Sequence, residues 1–132
     1  MRLIMEANYD PYNAETRALF ANPAHAGDLQ AGPARSALAE VSESSAGAKI
    51  QLAVGLVDGQ IQKCRFRVLG CPHLIAASEW LCRTLEGGPA ADLADFRAAD
   101  CMEPLGIPIE KTGRILLLED AIRLLLEQLD ID

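Results

Sequence analysis

Three features of the sequence predict an α+β fold, a three-stranded antiparallel sheet packed with helices. Two runs alternate apolar and polar residues with period two. In the first, Ile50, Leu52, Val54 and Leu56 alternate with Gln51, Ala53 and Gly55; in the second, Cys64, Phe66 and Val68 alternate with Lys63, Arg65 and Arg67. Asp58-Gly59 stands between the runs and signals a tight hairpin turn. Beyond Gly70 the apolar spacing changes to that of helices.

The elements follow in chain order. Asn13 to Ala21 can form a short helix, which Asn22-Pro23 should end because the residue before proline disfavours the helical region. The stretch from Ala24 to about Ala37 is rich in Ala, Gly, Pro and Ser and reads as a loop lying over the domain. A first strand is expected near Leu38 to Ser44, ahead of the hairpin. After Gly70, Leu74, Ser78, Leu81, Cys82 and Leu85 share one helical face, Pro72 suits the first turn, and Gly87-Gly88 ends the helix. Pro89 to Phe96 and Ala98 to Leu105 read as short helices. The last helix runs from about Thr112 to Leu129. Its apolar stripe is Ile115, Leu118, Ile122, Leu125 and Leu129, and Glu119, Arg123, Glu127 and Asp130 face water.

The 132 residues are read as a single domain, residues 1–132, of which half are hydrophobic and about a quarter charged. A domain of this length buries roughly two-thirds of its unfolded surface, enough for a core without covalent staples. The net charge of −7 repels phosphate backbones and argues against nucleic-acid binding. No apolar run approaches the roughly 20 residues that span a bilayer, and the first residues lack the features of a signal peptide, so a cytoplasmic protein is expected. The four cysteines, Cys64, Cys71, Cys82 and Cys101, form no C-x-x-C pair and read as free thiols.

Cys71 has the most chemical potential. It falls where a strand gives way to a helix, and the free N–H groups of a helix start stabilise a thiolate that could act as nucleophile or metal ligand. The competing reading is a thiol packed under the helix start. His73 lies two residues on, too far round the helix to share an ion with Cys71 easily. His25 reads as a solvated loop residue. Cys64 and Cys82 lie on apolar faces and read as core, and Cys101 is left open. Lys63, Arg65 and Arg67 form either a small docking patch or a solvated face offset by nearby acids. No phosphate loop, carboxylate pair or Ser/His/Asp arrangement stands out, which argues against an enzyme.

Four segments carry a resemblance. Gly70-Cys71-Pro72-His73-Leu74-Ile75-Ala76-Ala77-Ser78 is similar to the G-C-G-S-A-I-A-S-S motif of the IscU/NifU-type iron–sulfur cluster assembly scaffolds. Asn22-Pro23-Ala24-His25-Ala26-Gly27 resembles N-P-R-N-V-G of that family, and Lys49-Ile50-Gln51-Leu52 resembles K-L-Q-I. Leu105 to Ile122 aligns without a gap to L-x-L-P-P-V-K-x-H-C-S-x-L-A-E-D-A-I, agreeing at Pro108, Lys111, Leu117, Glu119, Asp120, Ala121 and Ile122.

The resemblance implies a scaffold that holds iron or a [2Fe–2S] cluster on three cysteines, an aspartate and a histidine. It also implies protein partners in the assembly machinery, such as a cysteine desulfurase. Carried over residue by residue, the ligand set is degenerate. Cys71 is retained as the metal-ligand position. Ser44 stands at the first cysteine and Ala46 at its aspartate, while Gly113 stands at the histidine and Arg114 at the third cysteine. One thiolate does not hold a cluster that normally takes four, and Arg114 puts a fixed positive charge where a metal would lie. Three functions are therefore compared: a divergent scaffold-like protein in cluster assembly, a metal-free binding or regulatory paralogue that docks to a protein partner, and a sulfur carrier using Cys71. The resemblance does not fix the oligomeric state.

Overall fold

The computed structural model describes residues 12–29 and 35–131. Its sheet has the order β1-β2-β3, with β1 at Arg35–Glu43, β2 at Ala48–Val57 and β3 at Gln60–Leu69, antiparallel throughout. Asp58 and Gly59 both take positive φ, 53° and 77°, as a two-residue turn matched to the twist of its strands requires. Ile50, Leu52, Val54 and Leu56 are buried on one face, as the alternation predicts. A bulge opposite Gly55/Leu56 leaves Gln62 unpaired between Ile61 and Lys63. It resets the alternation, so Ile61 and Cys64, three residues apart, both reach the core.

Two expectations about the first strand are corrected. β1 begins at Arg35 rather than Leu38, so the preceding loop is shorter than expected; residues 30–34 of that loop lie outside the described residues. Its buried residues are Ala37 and Ala39, while Leu38 is 51% exposed. The small alanines face inward because α4, introduced below, lies close over this strand.

Among the described residues four α-helices accompany the sheet: α1 at Ala14–Ala21, α2 at Pro72–Leu85, α3 at Ala98–Leu105 and α4 at Thr112–Leu129. The expected helix at 89–96 is instead a short 3-10 segment, Ala90–Asp95. α4 packs on β1 and β2, α2 packs on β3, and α1 lies on α2. Each buried Leu or Ile in this layer contributes roughly 1.5–3 kcal/mol through burial. Asn13 caps α1 by accepting from Thr16 N at 2.8 Å, and the buried Thr16 hydroxyl donates to Leu105 O at 2.5 Å, tying α1 to the end of α3. Glu119 of α4 accepts from Ala98 N at 2.6 Å and so satisfies a free donor at the start of α3.

Both outer strands have edge groups taken up by neighbouring segments. His25 O accepts from Phe66 N at 3.1 Å and Gly27 N donates to Phe66 O at 2.8 Å, so the 25–27 segment pairs with β3. On β1, the Gln128 side chain accepts from Leu38 N at 3.0 Å and donates to Leu38 O at 2.6 Å.

Candidate cluster-assembly site

The strand register places three chain turns at one end of the sheet. Glu43 pairs with Ala48, and Lys49 pairs with Leu69, so the β1–β2 connection and the exit of β3 share that end. The connection is a 3-10 turn, Ser44–Ala46, closed by Gly47 in the left-handed region (φ 65°). Cys71 follows β3 as the N-cap of α2, with Pro72 in the first turn. The start of α4 arrives at the same end, where Gly113 and Arg114 line a cleft of about 330 Å³ with Glu43, Ser45, Glu110 and Lys111.

Cys71 is partly exposed, and the Arg114 guanidinium is near enough to act on its thiol electrostatically. Burial opposes ionisation of this thiol. It is outweighed by the backbone N–H of Leu74, the Arg114 guanidinium and the backbone N–H of His73, so the thiol lies below the usual cysteine range. These N–H groups face the sulfur at the helix start without closing a conventional cap hydrogen bond. Of the sequence-derived positions, Cys71 and Arg114 lie at the same end of the sheet and interact electrostatically, and Gly113 and Arg114 line the cleft with Ser45 rather than Ser44. Ser44 is exposed in the connecting turn, and its carbonyl accepts from Gly47 N at 3.2 Å. The Ala46 side chain lies outside the described residues. Gly113 sits in the first turn of α4, and a Cβ there would meet nothing within 4 Å.

The donor set does not fit a self-sufficient metal centre. Among the described residues no group of three or more His, Cys, Asp or Glu side chains converges as ligands. His73 is buried, with its ring 4.7 Å from that of Tyr12. The other thiols are core. Cys64, Cys82 and Cys101 are fully buried. Burial and the neighbouring Cys64 push the Cys82 thiol well up. Burial pushes Cys101 up to about 12, and its sulfur donates to Ala98 O at 3.3 Å.

His25 is a correction to the sequence reading. It is not solvated: Nδ1 lies 2.7 Å from Glu79 Oε2 and Nε2 lies 3.0 Å from Glu86 Oε1. Glu79 is completely buried in α2, where it also accepts from His25 N at 2.8 Å and from Arg83 at 2.7 Å. Glu86 accepts from Cys64 N at 2.9 Å and from Arg65 at 2.8 Å. Burial raises the Glu86 carboxyl, but the Cys64 N–H, His25 and Arg65 hold it below the ordinary carboxylate range. This network fastens the 22–28 segment to the helix that carries Cys71. The only advance signal was a glutamate on an otherwise apolar helical face. Arg67 pairs with Asp28 at 2.6 Å, so the basic face of β3 is partly neutralised by acids, as one of the two sequence readings held.

The comparisons agree with this architecture. The family model of the NifU-like N terminal domain matches residues 11–129. A NifU-like protein (N-terminal) from Brucella abortus superposes with a TM-score of 0.68 at 22% identity, covering 89% of this chain and 93% of that one. A protein of Fervidobacterium islandicum AW-1, assigned as an iron–sulfur cluster assembly scaffold for the SUF system, superposes with a TM-score of 0.56 at 15% identity, covering 86% and 82%. At these identities the two structures establish a shared fold. The mitochondrial iron sulfur cluster assembly protein 1 of Kluyveromyces lactis is 29% identical over 75 residues, which is 57% of this chain and 42% of that protein, so the match spans less than half of the relative. With the family model covering nearly the whole chain, and with a three-stranded sheet and helices arranged as in its solved neighbours, this protein belongs to the NifU-like N terminal domain family.

Proposed function

We propose that this protein acts in iron–sulfur cluster assembly as a divergent scaffold-like member whose cluster end is degenerate. The observation that supports the reading is that Cys71, at the start of α2, and Arg114, in the first turn of α4, lie at the same end of the sheet, where the guanidinium favours the thiolate. By the family resemblance those are two of the three cysteine positions, and here a guanidinium stands in for one thiolate. Arg114 compensates the Cys71 thiolate electrostatically and disfavours a second cation beside it. The protein is then a non-catalytic member that meets the assembly machinery, a cysteine desulfurase among the candidate partners, without holding a stable [2Fe–2S] cluster on its own residues. Four free thiols suit a reducing compartment, and we place it in the cytoplasm on that chemistry. No helix among the described residues is long and apolar enough to cross a membrane.

The test has two arms. Anaerobic reconstitution with ferrous iron and sulfide should leave no stable [2Fe–2S] absorption after desalting. Co-purification with a cysteine desulfurase from the same organism should yield a complex. A stoichiometric, stable cluster would overturn the degenerate-site reading. Loss of the complex would overturn the assignment to the assembly machinery.

A further inference from the structure

A second notch, of about 160 Å³, shares no residue with the cleft beside Arg114. Trp80, Leu81, Thr84 and Leu85 of α2 line it, with Phe96 beyond the 3-10 segment. The same notch is bordered by Asp92, Asp95 and Asp100. Asp95 and Asp100 are exposed, and Asp92 is half-buried. None of the ion pairs among the described residues engages these carboxylates. Asp100 accepts from Arg97 N at 3.0 Å, which occupies one oxygen. The Arg97 guanidinium turns instead to the carbonyls of Ala94 and Phe96, at 3.1 and 2.8 Å. The notch therefore joins an apolar floor, one indole wall and three carboxylates that have no partnering cation among the described residues.

We infer that this notch is a docking site for an arginine side chain of a partner protein. Charge complementarity selects the occupant. An acidic or neutral side chain would leave the three carboxylates at the border of the notch without compensation. Arginine suits the indole better than lysine does, because its guanidinium is planar, stacks on aromatic faces and sheds water at lower cost. Its aliphatic stem would lie against the partly exposed Trp80, above the buried Leu81, Leu85 and Phe96. The net charge of −7 would also draw a basic partner surface towards the protein. This inference is independent of the chemistry at Cys71.

Trp80 is the chain's one tryptophan, so its emission reports on this notch alone. The probe is N-acetyl-arginine amide at low ionic strength, with the neutral N-acetyl-citrulline amide as control. The expected result is a saturable emission change with the arginine probe, a smaller response to citrulline, and weakening by added salt. Asp92→Asn with Asp95→Asn should weaken binding by roughly fivefold, the sum of two partly exposed charge pairs. Asp95→Asn alone, at an exposed position, keeps the test valid if the double variant fails to fold. The inference is overturned by the absence of saturable change, by an equal response to citrulline, or by unchanged binding in a folded Asp95→Asn protein.

Discussion

Replacing Arg114 by glutamine removes the guanidinium beside Cys71 while keeping a side chain of similar reach. The Leu74 and His73 N–H groups remain, so part of the thiolate stabilisation survives. A charge-assisted interaction contributes about 1.5–3 kcal/mol when shielded, but Cys71 is only half-buried, and solvent screening holds the Arg114 share to about 1 kcal/mol at most. Removing that share lowers the thiolate fraction at neutral pH about fivefold. The more basic thiolate is also the better nucleophile, with a Brønsted slope of about 0.4–0.5, which recovers roughly half of the loss on a logarithmic scale. The net expectation is alkylation of Cys71 by iodoacetamide about two- to threefold slower at pH 7, with the midpoint of the pH–rate profile moved to higher pH. The direction follows from charge, since a cation favours the thiolate and its removal favours the thiol. Peptide mapping by mass spectrometry separates Cys71 from the buried Cys64, Cys82 and Cys101, which should label far more slowly in both proteins. A midpoint that stays in place or moves down would refute the electrostatic role assigned to Arg114.

His25→Ala should lower stability by about 1–3 kcal/mol in urea unfolding, because the fully buried Glu79 loses one of its hydrogen-bond partners; an unchanged midpoint would mean that the latch contributes nothing. Glu86 is held below its ordinary value of 4.5, so it binds a proton more weakly folded than unfolded. Its stabilisation is present above the unfolded value and is lost as pH falls through the lower folded one, and Glu86→Gln should therefore flatten the acid limb of the stability curve below about pH 5. Restoring the family's ligands with Ser44→Cys, Ala46→Asp, Gly113→His and Arg114→Cys together should raise iron and sulfide content after anaerobic reconstitution. Gly113 is helical with open space at its Cβ position, so histidine meets no obstruction there; a folded variant that binds no more iron than the parent would show that these positions do not form one site.

Much of the fold was legible because burial and local periodicity coincide. β2 carries branched residues inward at every second position, and α2, α3 and α4 match the sequence boundaries at Pro72–Leu85, Ala98–Leu105 and Thr112–Leu129. β1 was harder to place because its inward residues are Ala37 and Ala39 and its largest apolar side chain, Leu38, points out, so the apparent polarity is inverted. The bulge at Gln62 concealed the first three residues of β3, since it breaks the two-residue period that identifies a strand. At the candidate site, the electrostatic influence of Arg114 on Cys71 could be anticipated only through the family resemblance, because nothing local couples residues 43 positions apart. The His25 network escaped for the same reason. Its carboxylates lie 54 and 61 residues downstream, and only the packing of the 25–27 segment beside α2 brings them together.

The carboxamide of Gln128 has a consequence beyond holding α4 to the sheet. By offering one acceptor and one donor to Leu38, it imitates a single rung of a fourth strand. A sheet edge with free rungs is a template on which another chain can grow, and Leu38, exposed and apolar, would make this template adhesive. The 25–27 segment performs the same service at Phe66 on the opposite edge. One glutamine at the end of a helix thus takes up the backbone groups of the edge residue whose side chain is the most adhesive on that strand.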